Sequence, residues 1–301
     1  MLQGLADGIA ALLAWTRARP LLAFLVTAFC FSWSDWVTIA WAGASVVPGR
    51  LPTDMAGMAG PAFAALAVSA IAGGEAGVKD LLRRVARLPL RSPWFWLLAP
   101  APLWALVVAV AAMHLAGASA PPAAAFGRYP GLPPLPPLAV FDLVLLGVGF
   151  GQEIGWRGLA LPRLQARHGP LAGAIAVAVP WGIWMAPLLV VNRWWMEPGQ
   201  EPLAVLLAAG ALLVSSSIVL AFLVARTGGS VAAAAIWHGS LRMATATEGA
   251  RGFPGAVVVA SVVLSALAVL AAEARARRGG ETVMLPPRPS SMGRQPAPAR
   301  T

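Results

Sequence analysis

Residues 202–225 of the chain read PLAVLLAAGALLVSSSIVLAFLVA, a run without a single charged side chain. A helix needs about 20 mainly apolar residues to cross a bilayer, so this run is long enough for a membrane span. The whole chain has the same character, with 58% hydrophobic and 11% charged residues, whereas soluble domains carry about 25% charged residues. Other mostly uncharged runs occupy residues 21–31, 94–113, 138–150, 171–191, 230–237 and 254–272. The sequence therefore predicts an all-α, polytopic helical membrane protein.

The apolar runs and the turn residues between them predict about eight transmembrane helices. They lie near residues 21–44, 55–72, 94–116, 138–156, 171–191, 202–225, 230–247 and 254–273. With the N-terminus inside, seventeen of the 22 Lys and Arg residues fall on the cytoplasmic side, so we expect both termini to be cytoplasmic. The net charge of +10 follows the loops and does not gather on a soluble domain. This distribution favours membrane lipids as partners and argues against nucleic acid.

The chain divides into three segments. We expect a cytoplasmic N-terminal segment at 1–20, a membrane domain at 21–274 and a basic, disordered tail at 275–301, because the tail is rich in Pro, Arg and Ser. Within the membrane domain, residues 78–88 place leucines on one helical face and arginines on the other, which predicts an amphipathic helix lying flat at the cytoplasmic interface. The heavy use of Arg and Ala indicates a bacterial source, and hence a multi-pass protein of the inner membrane.

Few ionisable residues fall inside the predicted spans, where each is costly and marks either a pairing or a polar cavity. Glu153 and Arg157 have the i, i+4 spacing of a structural ion pair, with the acid first. Asp142 precedes Glu153 by eleven residues, about three helical turns, so the two carboxylates are expected on one face. His238 and Arg242 repeat the i, i+4 spacing, and Arg242 needs an anion that Glu153 or Asp142 could supply. Tight helix packing and a functional cavity are both open interpretations of this pattern.

Three stretches then resemble the motifs of a known family. GQEIGWRGLALPRLQARHG at 151–169, PWGIWMAPL at 180–188 and IWHGSLR at 236–242 resemble, in order and spacing, the three motifs of the CPBP intramembrane proteases. This family comprises the CAAX prenyl endopeptidases and their bacterial relatives, and the resemblance covers about residues 75–250. It implies a helical membrane endopeptidase. A glutamate of the first motif and a histidine of the second would activate a water, with or without a metal, and a histidine and an asparagine of the third would stabilise the oxyanion.

Several positions depart from that pattern. Gln152 replaces the first glutamate, Met185 replaces the second-motif histidine and Arg242 replaces the asparagine, while Glu153 and His238 match the family. An amide cannot act as a general base near neutral pH, and a thioether is a poor zinc ligand. The remaining carboxylate and histidine are too few for a catalytic zinc site, so we predict no bound metal or other cofactor.

Three functions follow as hypotheses. The favoured one is a weak or inactive family member that binds a transmembrane or membrane-associated peptide or protein without cutting it. The second is an active endopeptidase in which Glu153 and His238 carry the reaction. The third is a permease for a small solute, against which we find no inverted repeat or paired broken helices in the sequence.

Overall fold

The computed structural model describes residues 2–192 and 201–286, and most of the chain in these ranges is helical. The main helices are α1 Leu2–Ala18, α2 Pro20–Trp41, α3 Gly60–Val85, α4 Ala101–Leu115, α5 Pro137–His168, α6 Pro170–Trp184, α7 Pro202–Arg226, α8 Val231–Ala246 and α9 Phe253–Arg278. Short α-helical turns occupy Met55–Met58, Pro93–Leu98 and Leu188–Val191, and 3-10 turns occupy Ala123–Gly127 and Glu248–Ala250. Across these two ranges the sole β-type pairing is an isolated bridge between Pro48 and Pro130.

Proline sets the start of most of these helices. In α2, α3, α4, α5, α6, α7 and α9 a Pro stands at one of the first two helical positions, where the N–H that it lacks would have no partner within the helix. α8 begins differently. The hydroxyl of Ser230 accepts a hydrogen bond from the backbone N–H of Ala233 at 3.1 Å, a side-chain cap at the N-terminus.

The protein is an all-α polytopic membrane protein. The described residues contain five helices long and apolar enough to cross a bilayer: Pro20–Trp41, Met55–Val85, Pro137–His168, Pro202–Arg226 and Phe253–Arg278. The other predicted spans correspond to the shorter helices α4, α6 and α8, of 15, 15 and 16 residues. The count of eight spans and the cytoplasmic location of both termini therefore stay predictions.

α8 is the central helix of the bundle. Residues Val231, Ala232, Ala233, Ala234 and Ala235 are all at most 1% exposed, and the helix contacts α4, α5, α7 and α9. Small side chains allow backbones to approach closely, and close packing is the main attraction between helices in a bilayer. The alanine run thus places α8 in the interior, where its polar residues can reach α5.

The segment 78–88 differs from its predicted form. It is the second half of α3, which breaks at Gly74 (φ 59°, ψ −153°), resumes, and ends at Val85. Leu81 is buried, whereas Leu82 and Leu88 are exposed. Arg84 and Arg87 donate hydrogen bonds to the carbonyls of Gly158 and Gly228, so these two arginines tie this end of α3 to the bundle.

Both ends of the chain contain helical residues where the structure describes them. Residues 2–18 form α1, and α9 continues to Arg278, beyond the predicted boundary at 274. Glu273 then accepts hydrogen bonds from the Thr282 hydroxyl and the Val283 N–H, and Met284 is 1% exposed. The part of the tail at 275–286 is therefore ordered because a buried carboxylate anchors it, while residues 287–301 lie outside the described ranges.

Candidate active site

The residues singled out in the first motif lie on an irregular part of α5. Two π-helical segments, Leu145–Phe150 and Trp156–Ala160, flank the α-helical turn Gly151–Gly155 that carries Gln152 and Glu153. A π turn takes up one more residue than an α turn, so it rotates whatever follows by about 100° relative to a regular helix. π-helical bulges are frequent at functional sites.

Because of this irregularity, the prediction that Asp142 and Glu153 lie on the same helix face is wrong. Asp142 is exposed, whereas Glu153 is completely buried. The π segment Leu145–Phe150 lies between them and changes the phase of the helix, so the eleven-residue spacing no longer brings the two carboxylates together. Asp142 is therefore not part of the site.

Glycines let α5 approach its neighbours at this point. A Cβ on Gly149 would lie 2.5 Å from the carbonyl oxygen of Ala235 in α8, and one on Gly155 would lie 2.6 Å from the carbonyl oxygen of Pro61 in α3. Real Cβ atoms essentially never come so close to another heavy atom, so only glycine allows this packing. The close approach brings the side chains of α5 and α8 within hydrogen-bond reach of one another.

Glu153 is the centre of a buried ionic cluster. Its Oε1 accepts hydrogen bonds from Arg157 Nη1 at 3.1 Å and lies 2.7 Å from His238 Nδ1, which carries the proton when the carboxylate is ionised. The exposed fractions of Glu153, Arg157 and His238 are 0%, 1% and 3%. Within the described ranges, Glu153 Oε2 and Arg157 Nε and Nη2 are buried without a hydrogen-bond partner. The cluster thus contains one hydrogen-bond acceptor and two donor nitrogens that have no partner.

Trp181 joins this cluster to Gln152. The indole Nε1 donates a hydrogen bond to Gln152 Oε1 at 3.0 Å, and the Gln152 amide nitrogen lies 3.3 Å from Met58 Sδ. The guanidinium carbon of Arg157 lies 4.4 Å from the centroid of the Trp181 ring, and the His238 ring contacts the same indole edge-on at 5.3 Å. Sequence reasoning gave Trp181 no role, although its position in the second motif, four residues before Met185, was a signal for one.

The structure brings Gln152, Glu153, Arg157 and His238 together but leaves the other two positions apart. Met185 follows the last residue of α6 and is half-buried against the core. Arg242 lies one turn beyond His238 on α8, and its Nε donates a hydrogen bond to Tyr129 Oη at 3.3 Å. Neither side chain makes a polar contact with Glu153 in the part of the chain that the structure describes.

The counter-charge of Arg242 is also not the predicted one. Its charge acts on Asp54, a residue at the start of the short turn before α3, and among the described residues Glu153 forms its ion pairs with Arg157 and His238 instead. Burial raises the pKa of Asp54, and the opposing attraction of Arg242 and a hydrogen bond from Asn192 Nδ2 at 3.2 Å only partly offset it. Burial likewise raises the pKa of Tyr129 above its ordinary value. Arg242 therefore belongs to a second polar cluster.

The residues present do not fit a catalytic metal. A zinc site of that kind uses three protein ligands, and here Glu153 and His238 supply two. No group of three or more His, Cys, Asp or Glu side chains that could hold an ion occurs in residues 2–192 or 201–286. The positive charge of Arg157 on the same carboxylate oxygen further disfavours a cation.

Comparison with known proteins gives two matches. Residues 134–244 match the family model "Type II CAAX prenyl endopeptidase Rce1-like", a segment that contains Gln152, Trp181 and the whole Glu153 cluster. The chain is also 39% identical over 54 residues to CAAX prenyl protease 2 of Methanococcus maripaludis, which is 18% of this chain and 20% of the relative. The chain thus aligns with about a fifth of the length of that protein. These two matches support membership of the chain in the CPBP intramembrane protease family, with residues 134–244 as its Rce1-like segment.

Proposed function

We propose that this protein is a non-hydrolytic member of the CPBP family, which binds a membrane-embedded peptide without cutting it. The observation that carries the proposal is the state of Gln152, the residue at the position of the family's water-activating glutamate. Its amide oxygen accepts the indole N–H of Trp181, and an amide has no proton affinity suited to a general base. The location that we propose, the inner membrane of a bacterium, rests on composition and on the apolar helices.

Glu153, the neighbouring carboxylate, is poorly placed to act as the general base in place of Gln152. Oε1 of Glu153 is already engaged by Arg157 and His238. A general base must take up a proton during the reaction, and a protonated Glu153 would leave the Arg157 guanidinium without a counter-charge in a site closed to water. We infer that the main role of Glu153 is to neutralise Arg157 and to orient His238.

The unused hydrogen-bonding atoms support a peptide as the ligand. Glu153 Oε2 can accept one hydrogen bond, and Arg157 Nε and Nη2 can donate. A peptide backbone offers a matching N–H and C=O within one residue, and buried polar atoms gain most when such partners arrive. Because these atoms are buried, a peptide would reach them only in a more open arrangement of the helices.

The proposal is tested by cleavage and binding measured together. Purified protein in detergent is incubated with a panel of transmembrane and lipidated peptides, and products are identified by mass spectrometry. We expect binding by fluorescence anisotropy but no products, and we expect Glu153→Gln combined with Arg157→Met to weaken binding. Glu75→Gln, which alters an exposed carboxylate of α3, is the matched control. Hydrolysis by the unaltered protein would end the proposal.

A further variant separates lost side chains from a lost cavity. Restoring Gln152→Glu, Met185→His and Arg242→Asn together should create hydrolysis if the pocket still resembles that of an active member. Arg242→Asn alone is needed beside it, because that change also removes the hydrogen bond to Tyr129 and can weaken folding. A triple variant that folds and stays inactive would show that the cavity itself has diverged.

One observation favours a second candidate, an active endopeptidase. The 2.7 Å contact between Glu153 and His238 Nδ1 holds the imidazole as in a carboxylate–histidine dyad, which leaves Nε2 as the proton acceptor. If this dyad is catalytic, the unaltered protein cleaves peptides and His238→Ala abolishes turnover. Gln152→Ala would then leave much of the turnover intact, an outcome that no other arrangement of these residues predicts.

A further inference from the structure

A polar cavity of about 260 Å³ lies between α3 and α5, and its lining includes none of the residues of the Glu153 cluster. Its wall is formed by glycines and charged side chains: Gly73, Gly77, Gly158, Asp80, Arg84 and Arg163. We propose that this cavity binds a phosphate group, carried by an anionic phospholipid of the cytoplasmic leaflet. The inference is independent of whether the protein cuts peptides.

The backbone of α3 makes the space. The helix breaks at Gly74, where φ is 59°, and the chain on either side of the break comes so close that a Cβ on Gly77 would lie 2.8 Å from the carbonyl oxygen of Ser69. A Cβ on Gly73, in contrast, would meet nothing within 4 Å. The glycines therefore permit the bend and leave the opening unfilled.

Two guanidinium groups converge on this opening with hydrogen-bonding capacity to spare. Arg84 donates from Nε to Asp80 at 3.1 Å and from Nη1 to the Gly158 carbonyl at 2.8 Å, which fixes its direction. Arg163 donates from Nη1 to the Leu159 carbonyl at 2.9 Å. Among the described residues, Arg84 Nη2 and Arg163 Nε and Nη2 find no hydrogen-bond acceptor. Planar N–H groups held in this way match the oxygens of a phosphate.

The charge balance around the cavity favours an anion. Asp80 is the one acidic side chain of its lining, and Arg83 at 3.5 Å shares it with Arg84. Arg17 adds a further positive charge near the rim, since its Nε donates to the carbonyl of Ile71, next to the lining residue Ala72. The Arg84 side chain is 27% exposed, so a ligand can reach it.

The position of the cavity identifies the carrier of the phosphate. Both walls belong to helices long enough to cross a bilayer, and the cavity lies near the ends where the basic residues of the chain gather. Basic pockets between transmembrane helices on the cytoplasmic side hold anionic lipid headgroups, and the leaflet itself is negatively charged. A phospholipid phosphate arrives at this depth without leaving the membrane, whereas a free phosphate must come from solution.

The test is a lipid titration in a non-ionic detergent, read by native mass spectrometry. Short-chain phosphatidylglycerol should bind at least about tenfold more tightly than phosphatidylcholine of the same chain length, because both carry the phosphate but the choline cation of phosphatidylcholine is repelled by Arg84 and Arg163, and a like-charge contact costs about one power of ten or more in affinity. Inorganic phosphate should compete only weakly. Equal affinity of inorganic phosphate and phosphatidylglycerol would overturn the lipid as carrier.

Variants locate the binding. Arg84→Gln and Arg163→Gln should each weaken phosphatidylglycerol binding about tenfold, while Arg91→Gln, which alters an exposed arginine outside the lining, should leave it unchanged. Since Arg84→Gln also removes the hydrogen bond to Gly158, Gly73→Leu serves as a second variant, which fills the open space without touching a charge. Unchanged lipid binding in Arg163→Gln and Gly73→Leu together would refute the proposal.

Discussion

Glu153 and Arg157 should show a large coupling energy for folding, which a double-mutant cycle can measure. Both side chains have no exposed surface, and their charged atoms lie 3.1 Å apart. The cycle uses Glu153→Gln, which keeps the shape and the hydrogen bond to His238, and Arg157→Met, which keeps an unbranched apolar chain. The quantity of interest is the free energy of unfolding of the two single variants, of the double variant and of the unaltered protein.

The magnitude follows from the partners of each atom. Glu153→Gln leaves a buried guanidinium without its counter-charge and should cost about 3–5 kcal/mol. Arg157→Met breaks the same pair but also removes Nε and Nη2, buried donors without a partner whose burial costs about 1–3 kcal/mol each, so its net cost should be lower. The double variant leaves no charge on either residue and should lie within about 1 kcal/mol of the unaltered protein. The coupling energy should then reach about 3 kcal/mol, the upper end of measured values.

The assay is unfolding by increasing SDS in mixed micelles, followed by tryptophan fluorescence and circular dichroism. Glu75 and Lys79 provide a matched control, since they form an ion pair of the same i, i+4 spacing with side chains 80% and 67% exposed. The same cycle at this exposed pair should give only about 0.3–0.5 kcal/mol. A coupling energy below about 1 kcal/mol at Glu153 and Arg157 would refute the reasoning, because it would mean that water reaches the site and screens the pair.

Three further predictions concern packing, ionisation and the indole. Gly155→Ala should destabilise the protein by about 1–3 kcal/mol because the new Cβ would clash with Pro61. Gly210→Ala is the control: a Cβ on Gly210 has no atom within 4 Å, so this change should be neutral or stabilising. Equal unfolding midpoints for the two variants would contradict the prediction. Burial raises the pKa of Tyr129, so the folded protein keeps the phenol proton that the unfolded chain releases near pH 10, and the free energy of unfolding should fall as the pH rises above about 10. Tyr129→Phe should make this fall less steep when unfolding is measured over a pH series. Equal slopes for the variant and the unaltered protein would contradict the prediction. Trp181→Phe removes the donor to Gln152 and should lower the unfolding free energy by about 1–3 kcal/mol, and a value near zero would show that the buried amide finds another partner.

The sequence predicted the parts of the site that depend on local spacing. Glu153 and Arg157 are one α-helical turn apart, and their pairing needs no knowledge of the rest of the chain. The apolar runs predicted the helices for the same reason, since the length and composition of a span are local properties. What could be inferred from neighbouring residues along one helix agrees with the structure.

Most of the predictions that failed depend on contacts remote in sequence, and one depends on an irregular helix turn. Tyr129 and Asp54 reach Arg242 from connections between helices, and no periodic pattern marks a residue of a loop as the partner of a residue in a span. Trp181 was overlooked because an indole in an apolar run reads as packing until its N–H is seen to meet an amide. The predicted orientation of Asp142 was wrong because nothing in the sequence shows where a helix takes up a wider π turn.

The wide turns of α5 have a consequence for any attempt to transplant this site. Each of them accommodates one residue more than an α turn, so the same sequence placed on a regular helix would point Glu153 about 100° away from the direction in which it meets His238. The orientation of the carboxylate therefore depends on the number of residues in these helix turns as much as on the identity of the side chain. A graft that copies the amino acids without the wide turns should point Glu153 away from His238.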